Sequence, residues 1–203
     1  MLNFENLDKM HFCGVGRYNI PQIQQIKQYQ DGEFIPFNYA KKEKNPGNKN
    51  IHCFTDDYQF NRLWNRPNDY ISMALKFKGM LAPDFSTYND MPVAMQIYNH
   101  YKKHWIAAYY QMHGVTIYPT ISWSNKKSFE WCFDGEPINS VVSVSSVGTQ
   151  KNKESKKLFL QGYEEMMIRL EPSLVIFYGI VPEECEGNII KIPPFYGKFG
   201  DKK

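Results

Sequence analysis

Short apolar runs separated by helical stretches are what most restrict the folds open to this 203-residue chain. Six runs read as strands: 51–54, 80–82, 115–123, 141–145, 174–178 and 189–192. Leu174–Tyr178 is continuously apolar, the mark of a strand covered on both faces. Between the runs lie helical patterns. One covers 58–77 and breaks near Pro67. A second, 91–112, carries Val93, Ile97, Tyr101, Ala108 and Met112 on one stripe with Trp105 at its border. A short one follows at 126–133, and a fourth at 154–170 places Phe159, Tyr163, Met166, Met167 and Leu170 on one side before Pro172 stops it. This alternation predicts a single α/β domain with a mostly parallel sheet of about six strands and flanking helices. Closed eight-stranded barrels typically take about 250 residues. An open doubly wound sheet and a partial barrel both remain compatible with the pattern.

Residues 1–50 are expected to form an irregular arm packing on the core. Ile20-Pro21 and Ile35-Pro36 favour extended backbone, and Phe34, Ile35, Phe37 and Tyr39 are too apolar to be left in water. The α/β domain proper is expected over 51–195, with a basic tail at 196–203. Hydrophobic residues at 42% against 22% charged argue for a packed core rather than disorder. A net charge of +3 permits contact with nucleic acid without demanding it. Cys13, Cys53, Cys132 and Cys185 are isolated, so neither zinc-ribbon spacing nor a disulfide framework is indicated. The longest apolar-looking helix is interrupted by His100, Lys102, Lys103 and His104, which excludes it as a membrane span. The first ten residues carry acids where a signal peptide needs basic ones. The chain reads as soluble and cytoplasmic.

The stretch Met80–Pro92 concentrates the chemistry. A buried strand runs into a polar turn with Asp84, Ser86 and Asp90, and Asp90 stands where a helix N-cap belongs, with Pro92 in the first turn. Asp56 and Asp57 follow the preceding strand. If the two strands are neighbours, Asp56, Asp57 and Asp84 converge at one edge, a carboxylate set suited to Mg²⁺ or Mn²⁺. Without a metal, a clustered carboxylate of raised pKa can serve as a general base. The plainer reading makes Asp56 or Asp57 a helix cap and Asp84 an Asx turn.

A second constellation is Ser145, Ser146, Gly148, Thr149, Lys151 and Lys153, a glycine-containing turn opening a helix. Such a turn offers backbone N–H groups, hydroxyls and positive charge to a phosphate. It is not a Walker A loop, and an ordinary capped turn explains it equally. Trp123 and Tyr178 fall at predicted strand ends, where a ligand ring can stack; the alternative for both is core packing. His100 and His104 are one helical turn apart, a spacing that can hold metal. With no H-E-x-x-H pattern around them, a structural role is the reading adopted.

The segments EFIPFNYA (33–40), FTDDYQFNRLWNRP (54–67), APDFS (82–86), NDMPVAMQIYN (89–99), CFDG (132–135) and SSVGTQKNKE (145–154) occur in this order. Together they resemble the family numbered 4417 among the domains of unknown function, over roughly residues 30–180. The resemblance implies a protein of bacteria, phages and other mobile elements, and carries no catalytic residues with it. Residues and resemblance together point to a phosphorylated ligand, a nucleotide or nucleic-acid end, at the C-terminal edge of the sheet. Metal-assisted phosphoryl hydrolysis or transfer is one chemistry for such a site. The alternative is a non-enzymatic regulator or counter-defence protein that binds a host protein or nucleic-acid complex through the lysines of 41–49, 151–157 and 198–203.

Overall fold

A computed structural model describes residues 4–194. The basic tail lies outside the described residues. Among the described residues seven strands form, one more than the sequence suggests: β1 (Glu33–Pro36), β2 (Lys49–His52), β3 (Gly79–Leu81), β4 (Ile117–Tyr118), β5 (Val141–Ser145), β6 (Leu174–Tyr178) and β7 (Ile189–Ile192). The additional strand is β1, four residues ending in a proline within the stretch that reads as irregular. The third strand is cut from the expected 115–123 to two residues, because Pro119 has no N–H to continue the ladder.

Strands β1 to β4 pair in chain order, as do β5 to β7, and every pair is parallel. A single parallel bridge, Thr120 to Ser143, joins the two sheets; Ile121 N donates to Ser143 O at 2.8 Å and Ser143 N to Pro119 O at 2.7 Å. No strand order reverses, as a doubly wound sheet requires. The rings of His52 on β2 and Tyr178 on β6 stand 5.0 Å apart although three strands lie between them in the order. Only a sheet curled back on itself brings those strands face to face, so the partial barrel is the architecture.

The interior of the curl holds Leu81, Tyr118, Val141, Ile176, Tyr178 and Ile192. Each large apolar side chain so buried contributes about 1.5–3 kcal/mol. Between β1 and β7 the curl is not hydrogen-bonded shut; a cavity of about 560 Å³ opens there beside Phe34, His52 and Ile190. The N-terminal arm covers the lower mouth. Ile26 takes its N–H to Ser140 Oγ and accepts from Val141 N, and Gln30 N donates to Tyr118 Oη. The upper mouth, at the strands' C-terminal ends, stays open.

Helices α1 (Phe37–Ala40), α2 (Asp57–Phe60), α3 (Arg62–Asn65), α4 (Asn68–Ala74), α5 (Val93–Met112) and α6 (Lys153–Leu170) pack outside. Asn152 caps α6 by accepting from Ser155 N at 2.8 Å. Asp90, in contrast, does not cap α5. The helix starts at Val93 with Pro92, extended at ψ 135°, in the cap position, which leaves Asp90 exposed in the turn before it. The buried face of α5 also differs from the expected stripe. Val93 and Met112 are over half exposed, whereas Gln96, Asn99, His100, Lys103 and His104 are buried. Among the described residues no helix is long and apolar enough to cross a membrane.

Candidate functional site at the open mouth

A pocket of about 500 Å³ fills the upper mouth, where the loops after β2, β3, β4 and β5 and the end of β6 meet. The C-terminal ends of parallel strands gather loop side chains from several elements around one space, which is why barrels of this kind place chemistry there. The floor and walls are aromatic (Phe54, Phe85, Trp123, Phe159, Tyr178) and the polar groups are hydroxyls, two acids and the amide of Gln59. Of the residues singled out in the sequence, Asp56, Asp84, Ser86, Trp123, Ser145, Thr149 and Tyr178 line it. Asp57, Asp90, Ser146, Gly148, Lys151 and Lys153 do not.

The three aspartates have different occupations. Asp57 holds the neighbouring loop: Ser86 donates to its carboxylate from the backbone N at 3.1 Å and from Oγ at 2.9 Å. Asp56 is exposed and occupies the N-cap position of α2 without a side-chain cap bond, reaching instead towards Gln59. Asp84 is half-buried on the pocket wall and its carboxyl accepts no hydrogen bond from any described residue. Burial pushes its pKa up to about 7, against the pull of Lys103 and with a further push from the charge of Asp57. Among the described residues, the set of His, Cys, Asp or Glu atoms close enough to share a metal ion is His100, His104 and Glu136, not the aspartates.

The 145–153 loop is tied by its own hydroxyls. Ser146 Oγ donates to Ile180 O at 2.6 Å, Thr149 Oγ1 to Ser146 O at 2.8 Å, and Ser145 Oγ accepts from Val147 N. Gly148 turns the chain at φ +82°, a conformation that favours glycine. Lys151 and Lys153 stand exposed at the start of α6.

Trp123 is placed by a missing side chain. Its indole lies on Gly162 of α6, where an added Cβ would overlap the ring, and its ring centroid is 5.4 Å from that of Phe159. Gly162→Ala is expected to destabilise the protein by up to about 2 kcal/mol, an overpacking cost of about 1–3 kcal/mol offset by a helix-propensity gain of ~1 kcal/mol. Denaturant unfolding reads this directly, and a variant as stable as wild type would mean that the indole moves freely.

A family profile described as domain of unknown function (DUF4417) matches residues 12–196. The chain belongs to this family. Two relatives are phage proteins. The "Gene 1 protein" of Mycobacterium phage L5 is 33% identical over 174 residues, which is 84% of this chain and 75% of the relative. The "Gene 1 protein" of Mycobacterium phage D29 is 31% identical over 173 residues, covering 84% of this chain and 64% of the relative. No solved structure matches. The family match takes in every element of the mouth, from β2 to β6.

Behind the pocket lies a buried network that sequence reasoning missed. Lys103 of α5 donates to Thr120 O at 2.6 Å and to Glu136 Oε1 at 2.7 Å. Thr120 Oγ1 donates in turn to Ala82 O, two residues before Asp84. Burial alone raises Glu136, yet the Lys103 ammonium beside it holds its pKa below the usual carboxylate value. Burial lowers both imidazoles, His100 furthest. The sequence did carry a signal: polar residues at 96, 99, 100, 103 and 104 recur at helical spacing.

Proposed function

We propose that the mouth pocket is an acid–base site for a nucleotide-like ligand, with Asp84 as the proton-transferring group. The observation that carries this reading is Asp84 itself: a carboxyl at a strand end, facing a pocket, without a hydrogen-bond donor, and poised near neutrality. A structural aspartate is normally capped or paired, whereas a general base is most effective with a pKa near the working pH. The aromatic walls suit a planar heterocycle, and the hydroxyls of Ser122 and Ser145 suit a ribose. The lining contains two carboxylates and no lysine or arginine. A phosphate group therefore needs either Mg²⁺ or Mn²⁺ travelling with it, or the exposed Lys151 and Lys153 beyond the rim.

A thermal-shift screen of nucleosides, nucleotides and short DNA or RNA, each with and without Mg²⁺, tests the reading. Binding to the folded form at a hundredfold excess over Kd adds about 2.7 kcal/mol of stability. Trp123→Ala is expected to abolish the shift. A screen with no shift for any ringed ligand would remove the nucleotide class.

One observation favours a second reading, in which the same face docks a macromolecule from the host of a phage. Tyr58, Tyr88, Val147 and Ile180 each follow a strand at its C-terminal end and are 79%, 66%, 58% and 73% exposed. Under that reading Tyr58→Ser with Ile180→Ser weakens association while Asp84→Asn does not.

A further inference from the structure

His100, His104 and Glu136 lie wholly inside the protein, with one ligand-capable atom of each within 4.8 Å of the others. The way their remaining atoms are occupied is informative. His100 Nε2 lies 3.1 Å from Asp134 O, and a carbonyl only accepts, so this nitrogen bears the proton. The proton-free nitrogen, Nδ1, is buried with no partner. In His104, Nδ1 lies 2.8 Å from Pro21 O and takes the proton for the same reason. Its Nε2 is left as a lone pair 3.0 Å from Glu136 Oε1. Two acceptors that close repel unless a cation lies between or beside them; the Lys103 ammonium, 2.7 Å from the same Oε1, is one such cation, but it makes no bond to either nitrogen. The second carboxylate oxygen, Glu136 Oε2, is also buried without a partner. Thus three acceptor atoms, two of them wholly unsatisfied, belong to one buried cluster.

We propose that His100 Nδ1, His104 Nε2 and the Glu136 carboxylate hold a first-row divalent metal ion, zinc or iron(II). Two imidazoles and a carboxylate are a donor set of both ions. Each imidazole gives its other nitrogen to a backbone carbonyl, and Lys103 donates to the carboxylate at 2.7 Å. Those are the outer contacts that orient metal ligands and fix their tautomers. Ligand atoms around tetrahedral zinc sit about 3.3 Å apart, so the cluster needs to contract by up to about 1.5 Å. The site joins the helix α5 to the 131–137 turn, behind β4. Because no ligand atom reaches solvent, the ion enters as the chain folds.

The competing explanation is a proton: a charged His104 donating to both Pro21 O and Glu136. The experiment separates the two. The full chain is purified from medium supplemented with zinc and iron, and its metal is measured by plasma mass spectrometry. In parallel, denatured protein is refolded with Zn²⁺, with Co²⁺, with Fe²⁺ under anaerobic conditions, or with chelator. The expected result is near-stoichiometric metal, a higher melting temperature after refolding with the ion than with chelator, and ligand-field absorption for Co²⁺. His100→Phe, which keeps the ring volume, is expected to fold and to lose the metal. His100→Asn serves the same end if the phenyl ring does not fit. Metal-free wild-type protein whose melting temperature is unchanged by all three ions overturns the proposal, as does a His100 variant that retains full metal.

Discussion

Replacing Asp84 by asparagine is expected to make the protein more stable than wild type at about pH 8, by up to ~4 kcal/mol, with no difference near pH 3. The sign follows from the raised pKa. Unfolded, the carboxyl loses its proton near its ordinary value of 3.8; folded, it keeps the proton until about 7. Between those values the folded state binds a proton that the unfolded state has released, so stability falls as pH rises and stays lower above 7. Asparagine has no proton to lose. Partial exposure of Asp84 to the pocket trims the figure through solvent screening. Melting curves of both proteins from pH 3 to 9 measure the effect. Parallel curves would mean that Asp84 carries no unusual proton, and with it the acid–base reading would go. A variant that is both stabilised and inactive towards a bound ligand is the pattern expected of a functional carboxyl kept at a cost to stability.

Glu136→Leu is expected to act in the opposite direction, costing about 3–5 kcal/mol, because it strips a buried ammonium of its carboxylate. Lys103 is 2% exposed and Glu136 fully buried, so water replaces nothing. Thr120 O remains as an acceptor but supplies no charge. The midpoint of urea unfolding should fall with the slope unchanged. Adding Lys103→Met to Glu136→Leu is expected to recover most of the loss, since a buried pair replaced by apolar groups of similar volume is often neutral. A single variant within about 1 kcal/mol of wild type would show that the ammonium finds another counter-charge, Asp84 being the group that already feels it.

The parts of the fold that depend on local apolar patterning were legible. β5, β6 and α6 lie where their runs predict, because continuous β-branched and aromatic stretches, a polar cap at Asn152 and the stop before Pro172 act within a few residues of themselves. β1 was not legible, since four residues ending in proline owe their strand conformation to pairing with β2. The face of α5 was misjudged because polarity was equated with exposure. His100, Lys103 and His104 are buried against the carbonyls of Asp134, Thr120 and Pro21 and, for Lys103 and His104, the Glu136 carboxylate, a property of residues 21, 120 and 134–136 and not of the helix. For the mouth, the position of Asp84 after a buried strand was readable. The separate occupations of Asp56 and Asp57 depend on Gln59 and on a loop from another strand.

The arm that covers the lower mouth has a consequence for how the chain is made. Ile26 and Gln25 find their hydrogen-bond partners at residues 138–141, more than a hundred positions downstream. On a ribosome, the arm emerges before β5 and lacks these partners until the polypeptide has grown past it. Synthesis at about 5–20 residues per second leaves it waiting for several seconds, with Ile20, Ile23 and Ile26 uncovered. Its docking closes a loop of over a hundred residues, so it belongs to the slow, late part of the folding reaction. Substitutions in the arm should therefore speed unfolding more than they slow folding.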